Sequence, residues 1–189
     1  MTGHRDVVPA PSPWSVMPRW TIDPDHSHVE FSVRHLAIAT VKGRFRAFGG
    51  EVETDEAGTP RAVHARLDAA SIDTGVAQRD AHLRSAEFLD AATHPALAFE
   101  STRIEATGRG RATLAGTLAM RGVVRDVTLD LTWHGPVAGT DGAPRLLAEA
   151  HGTIRRSEWG LTWNRAIEAG GVAVSDEVRI TLDIQVVAA

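Results

Sequence analysis

The chain has 189 residues, of which 43% are hydrophobic and 23% charged, and it carries a net charge of −4 with nine histidines and no cysteine. This length and composition fit one globular domain and exclude a disordered chain. The lack of cysteine excludes disulfides, thiolate zinc sites and cysteine nucleophiles, and the mildly acidic net charge gives no reason to expect a nucleic acid or an anionic membrane as partner.

The N-terminal segment, residues 1–19, is predicted to be a flexible tail. Four prolines between positions 9 and 18 favour an extended chain, and Trp14 is either packed against the body of the protein or loose. The segment has no apolar core of the length that a signal peptide needs, and no apolar run in the chain reaches the length of a transmembrane helix. We therefore expect a cytoplasmic protein without an integral membrane segment.

Alternation of apolar and polar residues predicts half-buried β-strands along most of residues 20–189, which we interpret as one barrel domain. The predicted strands are Ser27–His35, Val41–Thr54, Ala62–Ala69, Ala96–Ala106, Gly110–Met120, Val123–Trp133, Leu146–Ser157 and Val178–Val187. The second strand is expected to be interrupted at Gly43 and at Gly49-Gly50, as is typical where a barrel strand bends sharply.

One short helix interrupts the strands between residues 69 and 96. Either Asp73 or Thr74 is predicted to cap its start. Its end is expected near Phe88, because the following His94-Pro95 pair disfavours helix.

Eight strands with one apolar face each, and one short helical insertion, predict an all-β fold: a closed antiparallel eight-stranded barrel. A β-sandwich is the structural alternative. A barrel of this size either fills with side chains or encloses one small ligand. Small inward residues such as Ala65, Ala112 and Gly116 favour space for a ligand.

Several segments of the chain resemble the YceI-like family of lipocalin-like barrels, which is associated with binding polyprenyl chains. In chain order they are DPDHSHVEFSVRHL, VKGRFRAFGGEVE, SIDTGVAQRDAHLRSAEFLD with HPALAFES, LAGTLAMRGVVRDVTLDL, and SEWGL followed by VSDEVRITLDI. The resemblance implies a hydrophobic channel for an isoprenoid or another lipid tail. The chain has Phe88-Leu89-Asp90 where the family often has two aromatic residues before the acid, and it has no tyrosine, which implies a channel shaped for a different chain length or lipid.

We therefore expect a non-enzymatic protein, without a cofactor, that binds and possibly transports or stores a polyprenyl chain, a quinone or another lipid. Buried methylenes alone can hold such a chain tightly. The expected channel residues are Val29, Phe31, Val33, Phe45, Leu67, Phe99, Leu114, Leu118 and Leu131. No nucleic acid partner is expected, and a homodimer through one barrel wall stays open.

The barrel rim is expected to supply polar contacts to a headgroup from His35, Arg79, Asp80 and His82. Trp159 begins a Gly-containing loop that ends at residue 174, and it is a further ligand-contact candidate. The loop is either a lid over the barrel mouth or a place where the tryptophan closes the barrel end.

The same polar cluster leaves other interpretations open. Arg79 and Asp80 can form a structural ion pair at the rim. A hydrolase- or isomerase-like enzyme acting on a small apolar substrate could use the histidines and Asp80 as acid–base groups. A barrel with a fully packed interior that binds another protein is the third possibility.

A metal site is not expected. His26 and His28 share one face of a strand, but no carboxylate lies at a spacing that completes a recognised site. We expect His26 and Ser27 instead to hold the start of the strand to the Asp23-Pro24 turn through side-chain hydrogen bonds.

Overall fold

The structure is a computed structural model that describes residues 17–36, 38–166 and 173–189. Most of the predicted N-terminal tail, residues 1–16, lies outside this described part. The strands are β1 (Arg19–Ile22), β2 (His28–His35), β3 (Ala39–Phe45), β4 (Phe48–Thr54), β5 (Pro60–Asp68), β6 (Ile72–Asp73), β7 (Ala96–Gly108), β8 (Arg111–Met120), β9 (Val123–Ala138), β10 (Pro144–Arg155) and β11 (Val174–Ala188). The helix α1 is Ala77–Arg84, and 3-10 turns occupy Pro24–His26, Ala69–Ser71 and Arg156–Trp159.

The strands form one antiparallel sheet that closes on itself. β1 pairs with β4 on one side and with β11 on the other, and β5, β7, β8, β9 and β10 follow between them in that order. β2 continues the path of β1 after a short interruption and pairs with β11. β3 leads into β4 in the same way and pairs with β2. Counted with these continuations, the sheet is the predicted eight-stranded antiparallel barrel with one short helix, and the sandwich alternative is wrong.

The interruption of the second long strand lies at residues 46–47, and not at the glycines where we predicted it. A Cβ at Gly43 would lie 2.3 Å from the ring of Phe31, so this glycine makes room for an aromatic side chain on the neighbouring strand. At the interruption, the main chain bonds with Asp68 and Ser71. Before the break, β3 pairs with β2 and β6, and after it β4 pairs with β1 and β5. The break therefore marks the point where the long strand changes partners.

The helix is shorter than predicted at both ends. Its N-cap residue is Val76, which has no polar side chain to cap the helix. The two predicted caps are used elsewhere, because Asp73 lies in β6 and Thr74 bonds with other side chains. It ends at Arg84, where the hydroxyl of Ser85 donates to a carbonyl of the last turn. Phe88 leaves the helical path and buries its ring in the core, with 8% of the residue exposed.

The two ends of the barrel differ. At one end the indole N–H of Trp20 donates to the hydroxyl of Thr54 over 3.0 Å, and both residues are buried together with Ile22, Leu146 and Val186. The opposite end carries α1, the β2–β3 turn and the segment after the third 3-10 turn. The first end is sealed by apolar packing, so a cavity inside the barrel has its access at the second end.

Candidate functional site

The inward faces of the strands enclose a cavity of about 920 Å³. Because side chains alternate along a strand, each wall strand contributes one face to the lining. Most of the lining is aliphatic or aromatic, and β11 adds Ile180, Leu182 and Ile184 to it. A space of this size does not fit a fully packed interior, since packed cores leave few voids larger than a water molecule.

All but two of the residues that the sequence predicted to contact a ligand line this cavity. Those that do are Val29, Phe31, Val33, His35, Phe45, Leu67, Arg79, His82, Phe99, Leu114, Leu118 and Leu131. That they contact a ligand remains a prediction. The two outside the lining are Asp80 and Trp159.

Asp80 is a structural residue at the start of α1. It is 5% exposed, and its carboxylate accepts hydrogen bonds from the main-chain N–H and the hydroxyl of Thr74. The guanidinium of Arg79 donates to the same hydroxyl over 2.7 Å and to the carbonyl of Thr74 over 3.0 Å. In the described part of the chain, Arg79 and Asp80 are thus linked through Thr74 rather than by the direct ion pair considered above.

Trp159 is also committed to the fold. It is 1% exposed, and its indole N–H donates to the carbonyl of Leu118 over 2.9 Å. This placement corresponds to the interpretation in which the tryptophan closes the barrel end. The lid prediction depends on the loop that follows, of which residues 167–172 lie outside the described residues.

Arg156 lines the cavity although the sequence analysis did not single it out. The residue is 6% exposed, and its guanidinium donates to four main-chain carbonyls, those of Ser175, Leu161, Trp163 and Val174, over 2.5 to 3.3 Å. Burial lowers the pKa of this guanidinium from its ordinary value. Arg156 therefore ties the chain after the 3-10 turn to the start of β11.

A sequence signal for Arg156 existed but was weak. Its position is an even number of residues from Ala150 and Ile154, which are inward-facing residues of β10. Continued alternation would therefore place Arg156 on the lining face. Charged side chains are rarely buried unless they are paired. Alternation alone therefore could not predict that Arg156 faces the cavity, because the sequence does not show its hydrogen-bond partners. Two of these partners are carbonyls five and seven residues away, and the other two lie at the start of β11, 18 and 19 residues away.

The exposed lining residues locate the mouth of the cavity. Val76 is 46% exposed, and Gln78 and Arg165 are also exposed while lining the cavity. With His35 and Arg79 they form a partly cationic rim around the entrance. The interior is apolar and this rim is polar, which is the arrangement suited to a molecule with a long apolar tail and a polar head.

His82 lies against two aromatic rings at this rim. Its ring is 5.0 Å from that of Phe88 and 4.7 Å from that of Trp163, both edge to face. His82 Nε2 lies 2.5 Å from a carboxylate oxygen of Glu87. The histidine is thereby held between the helix segment and the chain after the third 3-10 turn.

The other histidines that the structure describes lie apart from one another. Within residues 17–36, 38–166 and 173–189, no group of three histidine, aspartate or glutamate side chains converges. His26 bonds with the carboxylate of Asp23 over 2.8 Å, as expected for the turn. Ser27 bonds with the main chain of Gln185 on β11 instead of the turn, because β11 runs directly beside it.

The described residues contain no helix that is long and apolar enough to cross a membrane.

Comparison with known proteins extends these observations. A family model described as the YceI-like domain matches residues 20–186. A UPF0312 protein of Serratia proteamaculans is 37% identical over 138 residues, which covers 72% of this chain and 71% of that protein. The crystal structure of Burkholderia cenocepacia BcnA superposes with a TM-score of 0.75 at 22% identity, covering 87% of this chain and 98% of that one.

A further solved structure shares the fold. It is described as a polyisoprenoid binding domain from Saccharophagus degradans implicated in plant cell wall breakdown, and it superposes with a TM-score of 0.62 at 17% identity over 92% of this chain and all of that one. The matched family domain spans nearly the whole barrel that the structure describes. The chain therefore belongs to the YceI-like family.

Proposed function

We propose that this protein binds one hydrophobic chain, a polyprenyl, quinone or other lipid tail, inside the barrel cavity. The observation that carries the proposal is the cavity of about 920 Å³, which has an apolar wall and a polar mouth. Cavities of about this size are typical of small-molecule sites. The Saccharophagus degradans domain is described as binding polyisoprenoid, so a polyprenyl chain is the first ligand to test.

The energetics support binding of an apolar tail without many specific contacts. Each buried methylene contributes about 0.8 kcal/mol. A tail that buries about ten carbons gains about 8 kcal/mol, which corresponds to a micromolar dissociation constant before ordering costs are subtracted. Chain length is selected by the depth of the cavity, because the end with Trp20 is sealed.

The rim selects the headgroup in this proposal. His35, Arg79 and His82 line the mouth and carry hydrogen-bond donors that suit a hydroxyl, carbonyl or acidic head. Asp80 has no part in this contact, because its carboxylate is occupied by Thr74. The same occupation argues against Asp80 as the acid–base group of an enzyme.

The proposal includes carriage or storage of the bound chain, as one protomer or as a homodimer, in the cytoplasm. Carriage requires that the chain leaves the cavity again, whereas storage requires only slow release. The rate of release into acceptor vesicles distinguishes the two.

Native mass spectrometry of protein purified from its own source without detergent tests the proposal. We expect a discrete added mass that extracts into organic solvent as a lipid. An empty protein that also fails to take up added geranylgeraniol and decylubiquinone would contradict lipid binding. Normal folding of that empty protein, shown by circular dichroism, is the necessary control.

A further inference from the structure

Large apolar side chains are exposed around the mouth of the cavity. Ile38, in the turn between β2 and β3, is 83% exposed, and Leu36 in the same turn is 41% exposed. Val76, at the start of α1, is 46% exposed and lines the cavity. Hydrogen bonds from the main-chain N–H of Ile38 to His35 and from that of Leu36 to Ala173 hold the turn in place. We call Leu36, Ile38 and Val76 the apolar tip, because all three side chains are exposed to solvent at this end of the barrel.

Cationic side chains lie on the segments that carry this apolar tip or adjoin it. The guanidinium of Arg34 donates to the carbonyl of Ile38 over 3.3 Å, which places a positive charge at the tip itself. Lys42 and Arg165 are exposed on adjacent segments. Two acidic residues lie on the neighbouring strand β11. The carboxylate of Asp176 accepts hydrogen bonds from the main-chain N–H and the hydroxyl of Ser157, and Glu177 is exposed opposite Arg155 of β10. The local charge here is therefore positive although the net charge of the chain is −4. Apolar side chains flanked by cations are the combination that favours the surface of a bilayer containing anionic lipid.

We propose that Leu36, Ile38 and Val76 dock the mouth of the barrel onto a lipid bilayer, so that the hydrophobic chain passes directly between membrane and cavity. This inference rests on the proposed lipid binding, because a chain with an apolar tail resides in membranes and its transfer through water exposes the whole tail. A protein partner fits the surface less well. Stable protein interfaces bury about 800 Å² on each side, whereas this tip presents three apolar side chains.

Sedimentation with vesicles tests the docking. The probes are vesicles of phosphatidylcholine with a minority of phosphatidylglycerol, and vesicles of phosphatidylcholine alone. Ile38→Asp should lose at least about tenfold in vesicle binding, because the aspartate removes apolar burial and is repelled by anionic lipid. Ile38→Trp should bind at least as well as the unchanged protein, since tryptophan favours the membrane interface.

Val137→Asp is the matched control. Val137 is 43% exposed on β9, near the sealed end of the barrel. Its substitution should leave vesicle binding unchanged. Raised salt should weaken binding to the anionic vesicles more than to the neutral ones.

Transfer of a lipid separates this inference from the proposed function. Ile38→Asp should slow uptake of geranylgeraniol from vesicles about tenfold, while the final occupancy stays that of the unchanged protein. An unchanged protein that takes up the lipid but never sediments with either vesicle overturns the docking and leaves lipid binding intact. Equal vesicle binding by Ile38→Asp and Val137→Asp overturns it as well. A protein that sediments but takes up no lipid overturns the proposed function and, with it, the transfer role of the tip.

Discussion

Leu118→Trp should block the cavity without unfolding the barrel. Leu118 lies on β8 and its side chain lines the cavity. The residue is only half-buried, because the cavity beside it is empty space. Its carbonyl accepts the indole N–H of Trp159, and a substitution of the side chain leaves this main-chain bond in place. The added ring therefore occupies the space that we assign to the ligand.

The expected loss follows from the length of tail that the ring displaces. A ring that excludes one isoprene unit removes about five carbons from the buried tail, which costs about 4 kcal/mol at about 0.8 kcal/mol per carbon. At about 1.4 kcal/mol for each factor of ten, the dissociation constant rises about a thousandfold. Isothermal titration calorimetry with geranylgeraniol measures this change without depending on the added tryptophan.

Thr117→Trp is the matched control on the same strand. Thr117 points away from the cavity, opposite Glu100 and Asp126 on the neighbouring strands, so that the same bulk is added outside. Unchanged affinity in Leu118→Trp, with a cooperative thermal transition near that of the unchanged protein, would refute the placement of the ligand. Equal losses in both variants would show that bulk on β8 acts through the fold and not through the cavity.

Three further predictions concern stability. Arg156→Met removes a side-chain donor from four main-chain carbonyls, of which that of Val174 keeps a hydrogen bond, from Asn164, and should lower the free energy of unfolding by about 3 kcal/mol, measured by urea denaturation; stability equal to that of the unchanged protein would contradict this role. Trp159→Phe keeps most of the buried ring surface but loses the bond to Leu118 and should cost about 1 kcal/mol in the same assay; no loss would show that the bond is dispensable. Hydrogen bonds from Arg145 lower the pKa of Asp141 from 3.8 to about 2, so the stabilisation from this exposed carboxylate is complete above pH about 4 and is lost as the pH falls through about 2. Asp141→Asn should therefore show a shallower loss of melting temperature over that interval, and an identical acid profile would contradict the assignment.

Local patterns in the sequence predicted much of the fold and of the cavity wall. Alternation predicted which residues of β2 and β8 face inward, and Val29, Phe31 and Leu118 line the cavity accordingly. Alternation is a property of the extended backbone itself, so it survives without knowledge of partners. The predicted start of the helix was wrong because Asp73 pairs with Arg44 on the distant strand β3, and because Thr74 bonds with the side chains of Arg79 and Asp80 instead of capping the helix.

The sequence by itself determined the class of fold, the family, and the face on which most wall residues lie. Only the tertiary structure decided which end of the barrel is sealed, where the mouth lies, and that Asp80 is structural while Arg156 lines the cavity. The physical reason is that strand parity gives each side chain a face but not its neighbours. A guanidinium such as that of Arg156 is stable inside the barrel only because closure brings carbonyls from two separate segments to it.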